Sequence, residues 1–186
     1  MALLDIHVLG SPVLREVTTP VEAVTGELRR LVDDMFETMH AAKGIGLAAP
    51  QVGRLERLFV AEVEDDKVAL FNPEIVDVSG KPAKAEEGCL SIPEIYGDVE
   101  RAPLVTVRGL DVDGNRVELE ASGLLARCVL HEIDHLHGRL FVDYLSMLKK
   151  RSAIAAWERE KTKYPALRRT LIAAKDLAEQ HNEEAL

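Results

Sequence analysis

The sequence is short of four things, and each shortage excludes something. Two cysteines in 186 residues are too few for a disulfide scaffold. No apolar stretch approaches the ~18 residues that a membrane span needs, and Asp5 interrupts the apolar start MALLDIHVLG, which also lacks a basic leader. The expectation is a cytoplasmic protein with reduced thiols and no membrane partner. Positive charge is scarce: 23 Lys and Arg face 32 Asp and Glu, a formal charge of −9, and only eight residues are aromatic. Neither a phosphate-binding surface nor a base-stacking platform can be spread over such a body, so DNA is excluded as a partner. What remains is a globular chain, 47% hydrophobic, whose core must be built mainly from Leu, Val, Ile and Ala.

The charge is unevenly distributed. Residues 149–169 carry eight basic residues against two acidic ones, whereas residues 1–148 carry 14 basic against 26 acidic. This divides the chain into residues 1–148 as an acidic domain and 149–186 as a tail, helical from about Leu145 and broken by Pro165. Within the first part, Leu28, Leu31, Val32, Met35 and Met39 repeat at helical spacing over Thr25 to His40. Strands are expected at Arg57–Glu62, Val68–Phe71 and Glu74–Val78. A further pair, Leu104–Asp111 and Arg116–Glu120, turns at Asp113-Gly114. Ser122 is placed to cap a helix over Leu124–His137, which Gly138 closes. Helix, strands, helix and tail in that order indicate an α+β fold.

The chemistry lies on the second helix. His131, Glu132 and His135 spell HEIDH, and residues four apart stand on one helix face about 5.4 Å apart, so both imidazoles can grip one metal. Glu132 beside them can serve a metal-activated water as general base. A catalytic site needs a third protein ligand and an open position. Cys128 shares the helix, but it sits ~7.5 Å below the level of the metal along the axis, too far for a thiolate. It reads as a small buried hydrophobe. Cys89, in EEGCLSIP, lies on a segment whose glycine and proline suggest irregular, fixed backbone. Spacing alone leaves it either the third ligand or a buried structural thiol.

Three motifs in order, GIGLAAPQ (Gly44–Gln51), EGCLS (Glu87–Ser91) and HEIDH (His131–His135), resemble those of the peptide deformylases. The resemblance covers roughly residues 3–148. It implies a compact α+β fold, mostly antiparallel sheets packed around the HExxH helix, with a C-terminal helical extension. It implies removal of formate from N-formylmethionyl nascent peptides. It also implies Cys89, His131 and His135 as ligands of one divalent metal, Glu132 as acid/base, and Gln51 with the Leu90 N–H as oxyanion donors. Ile45 and Gly46 would pair with the substrate main chain. By the same resemblance the ion is Fe2+, with Zn2+, Ni2+ or Co2+ as substitutes. A general HExxH peptidase is the competing reading, and Cys89 with the Gln51 loop speaks against it.

Some residues depart from this pattern or stand beside it. Leu130 occupies a position where the family often has Gln. Arg127 stands where an apolar wall is expected, either solvated or with its stem packed in the pocket. Leu124, Leu125, Cys128 and Ile45 are candidates for the apolar methionine pocket or for ordinary core. Asp134 either pairs with Arg101 or is a solvated charge. His137 reads as a helix-end residue favoured by the macrodipole. The basic tail suggests docking to ribosomal RNA phosphate near the exit tunnel, or simply a solvated helix face.

Overall fold

The computed structural model describes residues 2–172. In chain order its strands are β1 (Ile6–His7), β2 (Gly46–Ala48), β3 (Leu58–Val63), β4 (Asp66–Ser79), β5 (Ala83–Cys89), β6 (Ile92–Arg101), β7 (Leu104–Leu110), β8 (Arg116–Ser122) and β9 (Arg168–Arg169). The helices are α1 (Gly26–Ala41), α2 (Gly123–Leu136) and α3 (Met147–Glu160). The fold is α+β, with every strand pairing in its sheets antiparallel.

Five strands, in the order β2-β3-β4-β7-β8, form the main sheet. Strand β3 shows how it is held. Phe59, Ala61 and Val63 face one apolar cluster that includes Ala126, Val129 and Ile133 of α2. Leu58 and Val60 face a second cluster, built on Leu28, Leu31, Val32, Met35 and Met39 of α1. The strand's alternation therefore points into two cores, one on each face, with a helix over each. Helix α1 starts where the Thr25 side chain accepts from the Leu28 N–H at 3.3 Å. Ser122 sits at the start of α2 without making the side-chain cap bond expected of it. Gly138, at φ 69°, ends that helix, and a Cβ there would lie 2.5 Å from the Arg15 carbonyl oxygen.

Three sequence expectations change. The two strands at Val68–Phe71 and Glu74–Val78 are one strand, β4, whose register shifts between Phe71 and Glu74, where Pro73 interrupts the ladder. Cys89 ends a strand, β5, which pairs with β6 from Ala83↔Arg101 to Gly88↔Tyr96; the expected irregularity is a register shift between Gly88 and Cys89, after which Cys89 pairs with Ile92. The strand AKAEEGC has no apolar alternation of its own, so its pairing partner supplies the signal the local sequence lacks. Helix α3 is followed not by more helix but by short 3-10 turns and β9, which pairs with β1. Residues 173–186 of the expected tail lie outside the described residues.

Helix α3 packs on the body of the fold. Trp157 is buried against Val8, Ile92 and Phe141, and its indole N–H donates to the Leu9 carbonyl at 2.9 Å. Among the described residues no helix is long and apolar enough to cross a membrane.

Candidate active site

Two elements bring the chemistry together. Helix α2 presents His131 and His135 on one face, and the end of β5 brings Cys89 against them. Cys89 Sγ lies 3.3 Å from His135 Nε2, and the two Nε2 atoms are 3.2 Å apart. All three donor atoms fall within 4.8 Å of one another. Ligands bound at ~2.1 and ~2.3 Å around a tetrahedral ion stand roughly 3.6 Å apart, so the spacing suits a shared cation. Cys128 is outside this group. Its thiol, pushed up by burial, stays protonated and lies 3.4 Å from the Ile45 carbonyl oxygen.

Tautomers follow from the partners. His131 Nδ1 lies 3.0 Å from Glu87 Oε2, which keeps the proton on Nδ1; against burial, Cys89 and Glu87 push this ring well above its ordinary pKa, so a cation bound at Nε2 takes the place of a proton. Burial pushes His135 well below its ordinary pKa, so its ring is neutral and ligand-competent. Glu87 is itself held in a buried network. Although burial alone would raise it, hydrogen bonds from His131 and Arg101 bring its pKa down to about 2. Arg101 grips both its oxygens, at 2.9 and 3.0 Å, and reaches Asp134 at 2.6 Å. Asp134 thus pairs with Arg101, one of its two expected states, and also accepts from the Tyr144 hydroxyl at 2.7 Å.

Glu132 is buried beside the donors, with Oε2 unpartnered, and burial pushes its pKa up to about 7. A carboxyl poised near neutrality can both take and return a proton. Gln51 is also buried, and its orientation is set from outside. Its Oε1 accepts from the Ala48 N–H at 2.8 Å, which turns Nε2 toward Ser91 Oγ at 3.1 Å and Cys89 Sγ at 3.5 Å. Leu90 follows Cys89 in the tight turn between β5 and β6.

From Cys89 opens a groove of about 550 Å³ between Lys43–Ile45 and the β5–β6 turn. Ile45 lines it, as do Tyr96 and Arg169. Of the other pocket candidates, Leu124 is 55% exposed, while Leu125 and Cys128 are buried in the cluster between sheet and α2, Cys128 against the Ile45 carbonyl and beside Gly46. Arg127 is neither solvated nor a groove wall but half-buried against β5 and β6. No local signal marks Arg169, because its position depends on β9 pairing with β1. His137 caps α2 through the Ile133 carbonyl at 2.8 Å, His40 meets Glu62 and His7 meets Ser11, all away from the metal donors.

Residues 3–151 match the polypeptide deformylase family model. The chain belongs to that family. It is 52% identical over 163 residues to the peptide deformylase of Hydrogenovibrio crunogenus, covering 86% of this chain and 96% of that one. With the peptide deformylase of Alkalilimnicola ehrlichii it shares 54% over 155 residues, 81% of this chain and 86% of the other. The crystal structure of the Ehrlichia chaffeensis deformylase in complex with actinonin superposes with a TM-score of 0.84 at 40% identity, covering 87% and 99% of the two chains. As a deformylase the chain is a metal-dependent hydrolase that removes the N-terminal formyl group from peptides.

Proposed function

We propose that Cys89, His131 and His135 hold one divalent metal ion and that Glu132, Gln51 and the Leu90 N–H carry out deformylation of N-formylmethionyl nascent peptides beside it. The convergence of one thiol and two imidazoles next to a buried carboxyl supports this reading most directly. The bound ion would supply Lewis acidity, acidifying water and stabilising negative charge on the formyl oxygen. Glu132 accepts the proton of the attacking water at its unpartnered oxygen. As charge builds on the formyl oxygen, Gln51 Nε2 and the Leu90 N–H donate to it. Glu132 then passes its proton to the departing amine, and formate leaves.

The substrate main chain is read as an added strand on β2. The Ile45 carbonyl already accepts from the Glu62 N–H at 2.8 Å, so by antiparallel alternation the polar groups of Gly46 face the open edge. A Cys-His-His set accepts Fe2+, Zn2+, Ni2+ or Co2+. We take Fe2+ as the native ion from the likeness to the family.

Anaerobic purification, metal analysis and a formate-release assay on a formyl-Met peptide test the reading. Glu132→Gln is expected to keep the metal and lose roughly 10²–10⁴-fold in turnover. Equal turnover by both proteins sinks the assignment, as does a Cys89→Ser variant with full metal and full activity. Actinonin, bound in the Ehrlichia chaffeensis relative, is expected to bind the metal-loaded protein here.

For the cytoplasmic ribosome as a partner, the support is the exposed Arg151 and Arg159 on α3. Four neighbouring lysines are engaged within the chain: Lys149 with Asp98, Lys150 with Asp143, Lys161 with Glu158 and Lys163 with Glu160. Cosedimentation with ribosomes that survives Arg151→Glu/Arg159→Glu unchanged rules out docking through this face.

A further inference from the structure

We infer that Arg127 is a positioning residue of the metal centre: it clamps the β5–β6 hairpin, which carries Cys89, onto α2, which carries His131 and His135. The inference rests on the ligand set proposed above and adds a residue to its support.

The guanidinium belongs to α2, one turn before His131, yet all three of its acceptors lie on the hairpin. Nη1 donates to Glu87 Oε1 at 2.8 Å and to the Val99 carbonyl at 2.8 Å. Nη2 donates to the Ala83 carbonyl at 2.7 Å. Ala83 and Glu87 are on β5 and Val99 is on β6, so one rigid fork spans both strands of the hairpin. The side chain is 13% exposed, too buried to act as a solvated charge.

The clamp reaches the metal donors by two routes. Through the backbone, it fixes the start of β5, the strand that ends at Cys89. Through Glu87, it touches the carboxylate whose other oxygen holds His131 Nδ1. Arg101 shares that carboxylate, and Asp134 balances the second guanidinium, so the buried charges are paired two against two. Cys89 and the two histidines come from separate elements, and their spacing is only as well defined as the contact between those elements. Arg127 supplies three of the bonds in that contact. A lysine there could reach one acceptor from a single point; a methionine fills the space of the stem and makes none.

The test uses full-length protein loaded with Co2+, comparing wild type, Arg127→Met and Arg127→Lys. Measured are the rate of Co2+ loss to a chelator, the thiolate-to-cobalt absorption, the thermal midpoint of the metal-free protein and KM for a formyl-Met peptide. Arg127→Met is expected to lose Co2+ about 10–100-fold faster with a shifted absorption band, and KM within about twofold of wild type. Arg127→Lys is expected in between, and is read in its place should Arg127→Met fail to fold. Packing loss alone would lower the midpoint of the metal-free protein and leave the band where it was. Wild-type release rate and band in the variants overturn the inference, whether or not KM moves. If wild-type protein takes up no stoichiometric Co2+ through Cys89, the ligand set itself fails. If it does and the variants match it, only the clamp fails.

Discussion

Single atoms decide much of the site. Gly46 is glycine because there is no room for anything else: a Cβ would stand 2.3 Å from Glu132 Oε1 and 2.7 Å from Cys128 Sγ. Gly46→Ala must therefore displace the Glu132 carboxyl, to which we assign the proton transfers, or β2 itself. We expect at least a tenfold fall in turnover with metal content retained, measured by formate release and metal analysis. Gln51 illustrates a different dependence. Its acceptor end is tied to Ala48, so its donor end has no choice of direction. Gln51→Leu removes one of the two proposed oxyanion donors and is expected to cost roughly 10²–10³ in kcat, with KM changed by only a few-fold in the same assay.

At the scale of elements, the segment from residue 139 to α3 fastens the end of the chain to the body. Asp143 receives Arg15 at 2.6 Å, Lys150 at 2.9 Å and the Leu140 N–H at 2.9 Å. Burial alone would raise its pKa, but these three donors hold it well below the usual carboxylate range. A group depressed in the folded state contributes stability that is present above its unfolded pKa of ~3.9 and disappears as pH falls toward the folded value. With its partners half in solvent, Asp143→Asn should cost about 0.5–1 kcal/mol at neutral pH, and the gap from wild type should narrow steadily as pH falls below about 4, as read by urea unfolding. Trp157 anchors α3 in the same region. Trp157→Ala is expected to cost about 3–5 kcal/mol in the same measurement, because it empties a buried site and orphans the Leu9 carbonyl. That also makes deletion of residues 149–186 a poor probe of ribosome docking, since it would remove Trp157 with the cations.

For the whole molecule, the ligand set proposed above would join the hairpin to a helix held between sheet and turns, and an ion held there would be a cross-link as well as a cofactor. Chelation is expected to abolish formate release and to lower the thermal midpoint, with recovery of both on adding back Fe2+, Ni2+ or Co2+. By mass action an ion at 100 times its dissociation constant adds about 2.7 kcal/mol, a shift that differential scanning fluorimetry resolves.

Much of this was legible in one dimension. HEIDH needs only the helical repeat to place two imidazoles together, α1 announces itself by its apolar stripe, and Asp113-Gly114 marks its own hairpin. These are local patterns, and local geometry suffices to read them. Four things had to wait for the tertiary structure. The strand character of Cys89's segment comes from β6, and the direction of Arg127 from acceptors 28 to 44 residues away. The anchoring of α3 rests on Trp157 meeting Leu9, and Arg169 enters the groove only because β9 pairs with β1. In each case the deciding partner is distant along the chain, and no periodicity records a contact between distant segments. The sequence by itself determined which atoms can bind and hydrolyse; the packing of hairpin on helix decided where those atoms stand.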